Sequence, residues 1–420
     1  MRRKKTFNEI PINKITTSKY FIPLINDKAK ISSYSWFDVE TYNYENDEGF
    51  NYRAIQTQVI RAKQIKINTD KRQRQILLEW IENARIVYNM TVKYLKHNAI
   101  LCFNKLRSMI KSLFSETFKQ RVMNTPCHIL DNSIKDVLKA RKTALALLKV
   151  GHIKRFRLRY KKQDKPIQTI VIEKQDFSKR INSFYVKTIG LLNTSNPITH
   201  EFVNHDCRLS FDRNKNIFIL HSPMEKETTS CKTKYRTCGI DGGLKTFLTV
   251  YNPNKECLKI MNRDRTTKLS RLINKKIELL RLNRTSRYKR ATLKVNRKIY
   301  NNVKELHYKS ANLLANSYDN IYLGKLSTQS IIKGKKLSPF DKHFALALSH
   351  YTFYNILKNK CEELNKNLFY VDESYTSKTC GACGNLYDIK DSRIYTCNKC
   401  HGVFDRDMNS ARLILIKNEC

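Results

Sequence analysis

An α/β fold of the RNase H-like class is predicted by three observations on the second half of the chain. Three short strand patterns follow one another from Thr237 to Ile260, two long basic helical runs come next, and the order then alternates strand, helix, strand, helix. Tight connections make the first three strands antiparallel neighbours. A doubly wound nucleotide-binding sheet would instead open strand–helix–strand, so that class is disfavoured.

Taken in order, residues 1–60 stand apart as an extension, with Asp38, Glu40, Glu45, Asp47 and Glu48 set among Tyr and Trp and almost no cations between Ser32 and Asn51. Gln64–Asn68 alternates as a short strand, and Asp70 followed by Gln73 has the spacing of a helix cap. Ile76, Leu77, Trp80, Ile81, Ala84, Val87 and Tyr88 then form one apolar helical face. More basic helix is expected to about Leu148. Thr169–Ile172, Ser183–Val186 and Asn216–Leu220 read as strands between turn residues. Residues 61–230 are therefore expected to form a small β-domain with a basic helical insertion.

The second domain, 231–420, begins with Thr237–Ile240 running into Asp241, Gly242 and Gly243. Thr246–Val250 follows, then a turn at Tyr251–Asn254, then Cys257–Ile260. Helices are expected over Leu269–Leu282, Tyr288 to about Leu314, and Phe344–Leu364; strands over Asn320–Leu323 and Asn367–Val371. A last helix opens at the acidic residues Asp405 and Asp407, with Ala411 and Leu415 one and two turns on.

Composition names the class of partner. With 80 Lys and Arg against 37 Asp and Glu, the net charge is +43 over 420 residues, far beyond what solubility requires. Cations at that density neutralise phosphates and release counterions, so binding to nucleic acid should be strong and steeply salt-dependent. The 12 cysteines show no pairing rhythm, which suits a reducing compartment, nucleus or cytoplasm. Neither a secretory h-region nor a run of about 18 apolar residues is present, so neither secretion nor membrane insertion is expected.

Four of the cysteines have a definite arrangement. Cys380-Gly-Ala-Cys383 and Cys397-Asn-Lys-Cys400 are two knuckles separated by 13 residues, a zinc ribbon over 376–404. Four thiolates close a tetrahedral Zn2+ site with no position open, so this zinc is structural. It pins the loop leading to Asp407, and His401 is a bystander.

Nucleases of the RNase H-like class hold two divalent ions roughly 4 Å apart on carboxylates. Asp241 lies on the first strand and Asp407 at the start of the last helix, the two places such a centre requires. Asp405 is assigned a supporting role, and the glycines after Asp241 are expected to let the phosphate backbone approach. Mg2+ or Mn2+ is the expected pair of ions.

Thr376-Ser377, the four cysteines, and Asp405-Arg-Asp407-x-Asn409-x-Ala411 together resemble the TnpB (OrfB) family of transposon-encoded proteins, relatives of type V CRISPR effectors. Gly239-Ile-Asp241-Gly-Gly243 matches the family's first RuvC motif, and the resemblance spans about residues 61–415. It implies an RNA-guided DNA endonuclease with a RuvC centre, guide RNA and target DNA as partners. One departure stands out. The family usually carries a catalytic Glu at the end of the fourth strand, where this chain has Gly324.

Glu373, just past the fifth strand, is the candidate to fill that gap, with Asp372 its nearest rival. The fourth and fifth strands of the fold are adjacent and about 4.8 Å apart, so a Glu beyond one can reach the end of the other. This rearranged pattern is similar to the eukaryotic and giant-virus relatives called Fanzor.

Lys268, Arg271, Lys275, Lys276, Arg281, Arg284, Arg287, Lys289 and Arg290 are expected to face an RNA–DNA duplex, which is recognised by backbone and shape. Trp80, Tyr88 and Phe103 could stack on bases, though their helical spacing favours core. Competing readings are a nuclease-dead guided binder, a transposase acting directly in strand transfer, and a zinc-ribbon transcription factor. The last leaves Asp241 in its strand-Gly-Gly setting without a reason. Oligomeric state and guide sequence are not legible.

Overall fold

A computed structural model describes residues 58–419, except 99–101, 179, 199–204, 255, 263–266, 283–284, 334–336 and 390–391. Almost all of the N-terminal extension, and Arg284, lie outside the described residues. The described chain divides into two compact units, 60–226 and 227 onward.

The first unit starts with β1 (Gln58–Asn68) and α1 (Lys71–His97). A capping box begins α1: the Gln73 N–H donates to Asp70 at 2.7 Å, and the Asp70 N–H donates back to the Gln73 side chain at 3.2 Å. Next come α2 (Phe103–Ser112), α3 (Glu116–Val122), α4 (Cys127–Lys149) and β2 (Ile167–Ile172). Four short elements follow, β3 (Phe177–Ser178), β4 (Ser183–Phe184), α5 (Val186–Ile189) and β5 (Asn193–Thr194), then the longer strands β6 (Cys207–Asp212) and β7 (Ile217–Glu227). Five of these strands form one sheet in the order β2-β6-β7-β1-β5. Leu77, Trp80, Ile81 and Ala84 of α1 bury against Ile170, Leu209 and Phe218 of that sheet.

One expectation fails in this unit, and one strand was missed. Ser183–Val186 is extended only at its first two residues; Tyr185 turns left-handed (φ +49°) and α5 follows. The Tyr185 hydroxyl donates to Asp176, which holds that turn. β6 was not expected, because Cys207-Arg-Leu-Ser-Phe-Asp212 lacks the β-branched residues that mark strands.

The second unit carries β8 (Tyr235–Gly242), β9 (Thr246–Tyr251), β10 (Cys257–Asn262), α6 (Lys268–Arg281) and α7 (Ser286–Ser317). β11 (Tyr318–Gly324), α8 (Thr328–Lys333), α9 (Pro339–Leu348), α10 (His350–Glu363) and β12 (Asn367–Val371) follow. The chain ends with the hairpin β13 (Ile394–Thr396) and β14 (Val403–Asp405), then α11 (Arg406–Glu419). The sheet order is β10-β9-β8-β11-β12. β8, β9 and β10 pair antiparallel, while β8, β11 and β12 run parallel. Its core gathers Cys238, Ile240, Phe247, Val250, Leu314, Ile321 and Phe353.

The helix expected over 344–364 is two helices. Ser349 adopts φ +46° and its carbonyl accepts from the N–H groups of Thr352 and Phe353, so α10 starts afresh. No Gly or Pro marks the break in the sequence. No described helix is long and apolar enough to cross a membrane.

Candidate metal centre and zinc knuckles

The sheet and α11 bring the predicted carboxylates to one end of the second unit. Asp241 sits on β8 opposite Thr249 of β9, and β11 lies on the other side of β8, with Ile240 opposite Leu323. β12 pairs with β11 so that Gly324 faces Val371, two residues before Glu373. Asp407 occupies the first turn of α11. That helix lies directly on β8 because of Gly239: a Cβ there would run into the Ala411 carbonyl and lie 2.8 Å from the Leu415 Cβ. Gly243 is tight for an internal reason, since its added Cβ would lie 2.8 Å from the Thr246 carbonyl.

Glu373 folds back over Gly324. An added Cβ at Gly324 would meet Glu373 Oε2 at 2.8 Å and Glu373 Cβ at 3.4 Å. That Oε2 is buried with no hydrogen-bond partner. Burial, and then the charge of Asp372, push the Glu373 carboxyl up to about 7. Asp241 is driven well above the usual carboxylate range by desolvation first, then by Asp407 and Glu373. Asp407 rises through burial and the neighbouring Asp405, against the opposing pull of Lys259, Arg406 and Arg393. All three carboxyls are desolvated, Asp241 is repelled by the other two, and Glu373 has an orphaned oxygen, although their oxygens do not all lie within 4.8 Å of one another.

The supporting residues separate. Asp405 caps α11, accepting from the Met408 N–H at 3.0 Å, and pairs with Lys259 at 2.7 Å. Asp372 turns away: it accepts from the Ser374 hydroxyl at 2.8 Å and lies 3.5 Å from Lys417. Lys259 was not anticipated: its partner Asp405 is 146 residues away, and nothing in the sequence sets this lysine apart from the chain's other cations.

The four cysteine sulfurs lie within 4.8 Å of one another, with Cys380–Cys400 and Cys383–Cys397 each at 3.6 Å. Four sulfurs about 2.3 Å from a tetrahedral zinc would be about 3.8 Å apart, so the set fits Zn2+. Each knuckle is closed by its own backbone. The Cys380 N–H donates to Asn385 O and the Cys397 N–H to Gly402 O, while Gly384 and His401 take left-handed φ. Two residues of α11 grip the first knuckle: Asn409 Nδ2 donates to Thr379 O at 2.8 Å, and the buried Arg412 donates to Gly381 O at 2.7 Å. Arg412 was not singled out in the sequence, where it reads as one more cation. Among the described residues one further cluster meets the same spacing, His128, Glu173 and Asp176 in the first unit.

Of the expected nucleic-acid contacts, Lys268, Arg271, Lys275, Arg281, Arg287, Lys289 and Arg290 are exposed, and Lys276 is half-buried. Trp80 and Tyr88 belong to the core: Trp80 is 1% exposed and donates to Asn124 O. Phe103 packs against the cluster of Val87, Leu106 and Ile110.

Comparison with known proteins follows the same lines. Residues 350–414 match the family model of the Cas12f1-like TNB domain. The chain is 28% identical to the TnpB-like protein L79 of Acanthamoeba polyphaga mimivirus, over 85% of this chain and 73% of that protein. It is 27% identical to the TnpB-like protein R854 of the same virus, over 98% of this chain and 83% of that protein. Among solved structures it resembles Cas12f1 in its complex with sgRNA and target DNA, with a TM-score of 0.50, 13% identity, and coverage of 83% of this chain and 84% of that one. The zinc-knuckle segment thus matches a Cas12f1-like family description, and the chain is similar along most of its length to TnpB-like proteins.

Proposed function

We propose that the chain is an RNA-guided, metal-dependent DNA endonuclease whose RNase H-like (RuvC) centre is built from Asp241, Glu373 and Asp407. The observation that carries this reading is Glu373 lying in the space above Gly324, beside the strand that bears Asp241. The family's usual fourth-strand Glu has moved one strand over while its carboxylate keeps its station. The rearranged position is that of Fanzor-type members.

In this reading the three carboxylates bind two Mg2+ or Mn2+ ions. Such ions activate water and neutralise charge on the leaving oxygen of a phosphodiester. The protein's part is to hold the carboxylates from three elements, β8, the end of β12 and α11, and to keep bulk water from them. Lys259 balances Asp405 at the head of α11, which leaves Asp407 free for the ions. A structural Zn2+ on Cys380, Cys383, Cys397 and Cys400 fixes the ribbon, and Asn409 and Arg412 transmit that fixity to α11.

Guide RNA and target DNA are proposed as partners on the strength of the +43 charge and the likeness to a protein solved with both. The test is magnesium-dependent cleavage by the chain co-expressed with its flanking genomic sequence, so that its own RNA can bind. Cleavage abolished by Asp241→Ala supports the reading. Guided DNA binding without any cleavage would make the chain a dead binder.

A further inference from the structure

One group of ligand-type side chains lies in the first unit and has no part in the centre described above. His128 is on the first turn of α4, Glu173 directly follows β2, and Asp176 directly precedes β3. Each offers one donor atom, and the three atoms lie within 4.8 Å of one another. His128 Nδ1 is 3.0 Å from Asp176 Oδ1 and 3.9 Å from Glu173 Oε2. Ligands about 2.1 Å from a tetrahedral ion would stand about 3.4 Å apart, between those two distances.

A histidine that merely completes a hydrogen bond needs one carboxylate. Here two converge on one ring nitrogen, which carries at most one proton and can donate fully to only one of them. The carboxylates are held from behind by their other oxygens. Tyr185 donates its hydroxyl to Asp176 Oδ2. Asn132, one turn on from His128, donates to Glu173 Oε1 at 2.8 Å, and Lys135 lies 3.2 Å from the same oxygen. Such outer contacts orient ligands towards an ion. The Asp176 side chain is 9% exposed and that of Glu173 14%. Among the described residues Asp176 Oδ1 meets no donor but His128. Gln175 closes the remaining side, its Nε2 2.6 Å from Glu173 Oε2 and 3.4 Å from both ring nitrogens of His128. Turned over, that amide presents an oxygen at the same place, a fourth ligand.

We propose that His128, Glu173 and Asp176 form a site for a first-row divalent cation, with Zn2+ suited to one imidazole nitrogen and two carboxylate oxygens. The ion would fasten the start of α4 to the segment between β2 and β3, and so tie the helical insertion to the sheet of the same unit. Mg2+ holds its water and prefers all-oxygen sites, so it is not expected to compete. The proposal is independent of the nuclease reading.

The test is equilibrium dialysis of the full chain, free of any affinity tag and carrying Asp241→Ala, against Zn2+ in excess Mg2+, followed by metal analysis. Two Zn2+ per chain are expected, one in the knuckles and one here. Adding His128→Gln or Asp176→Asn should leave one, and the retained knuckle zinc reports that the variants are folded. His128→Cys, which supplies another zinc ligand, should restore two. Zn2+ should also raise the melting temperature of the Asp241→Ala parent by about 5 °C or more, a gain lost in His128→Gln. One Zn2+ in the parent, or two in His128→Gln, overturns the site and leaves His128 and Asp176 as a plain hydrogen-bonded pair.

Discussion

Glu373 Oε2 lies 2.8 Å from where the Cβ of an alanine at position 324 would stand. Gly324 is thus the condition for Glu373 to fold back, and the two positions cannot both carry a side chain there. Gly324→Ala should push the carboxylate aside, since the end of a flexible side chain yields more readily than backbone. Cleavage is expected to fall at least about tenfold, a change of roughly 1.4 kcal/mol in transition-state stabilisation. The same Cβ would stand 3.0 Å from Cδ1 of the buried Ile414, so urea unfolding should also register a loss of about 1 kcal/mol. A variant that cleaves normally would detach Glu373 from the centre.

Gly239→Ala presents the opposite case. Its Cβ meets the Ala411 carbonyl and the backbone of Leu415, neither of which can rotate away. α11 would have to lift from β8, separating Asp407 from Asp241. A stability loss of at least about 2 kcal/mol is expected in urea denaturation, accompanied by loss of cleavage.

The zinc knuckles should hold one Zn2+ per chain, measured by metal analysis of the purified protein. Cys397→Ser should remove it and lower the melting temperature, because ligand binding energy is folding energy in such a site. Arg412→Ala should keep the zinc but loosen its link to α11, since the contact to the Gly381 carbonyl is lost along with the rest of a buried side chain. Removal of zinc by Arg412→Ala would place the residue's role inside the knuckle itself.

The exposed cations of α6 predict a salt dependence. Replacing Lys268, Arg271 and Lys275 together by Ala should reduce the slope of log affinity against log salt by about 2 to 3, if each neutralises one phosphate. An unchanged slope would mean that these side chains simply face solvent.

Much of this was legible because the signals are local. Asp70 and Gln73 announce a helix start through a capping box that needs no tertiary context, and the two knuckles carry their own backbone closure. Asp241 and Asp407 followed from strand order and helix start. What stayed hidden depends on long-range packing. Ser349 breaks a helix in a stretch without Gly or Pro, Cys207–Asp212 is a strand whose buried positions include a serine, and Arg412 gains its role only when α11 meets the first knuckle. Gly239 looked like part of a motif; its reason is the closeness of a helix 172 residues later at Ala411.

The account turns on the displaced glutamate, and one exchange tests it most directly. Guided, magnesium-dependent DNA cleavage should be lost in Glu373→Ala and recovered, at least in part, when Gly324→Glu is added to it, since the carboxylate then returns from the neighbouring strand. Full cleavage by Glu373→Ala alone would contradict the account and leave the third carboxylate elsewhere.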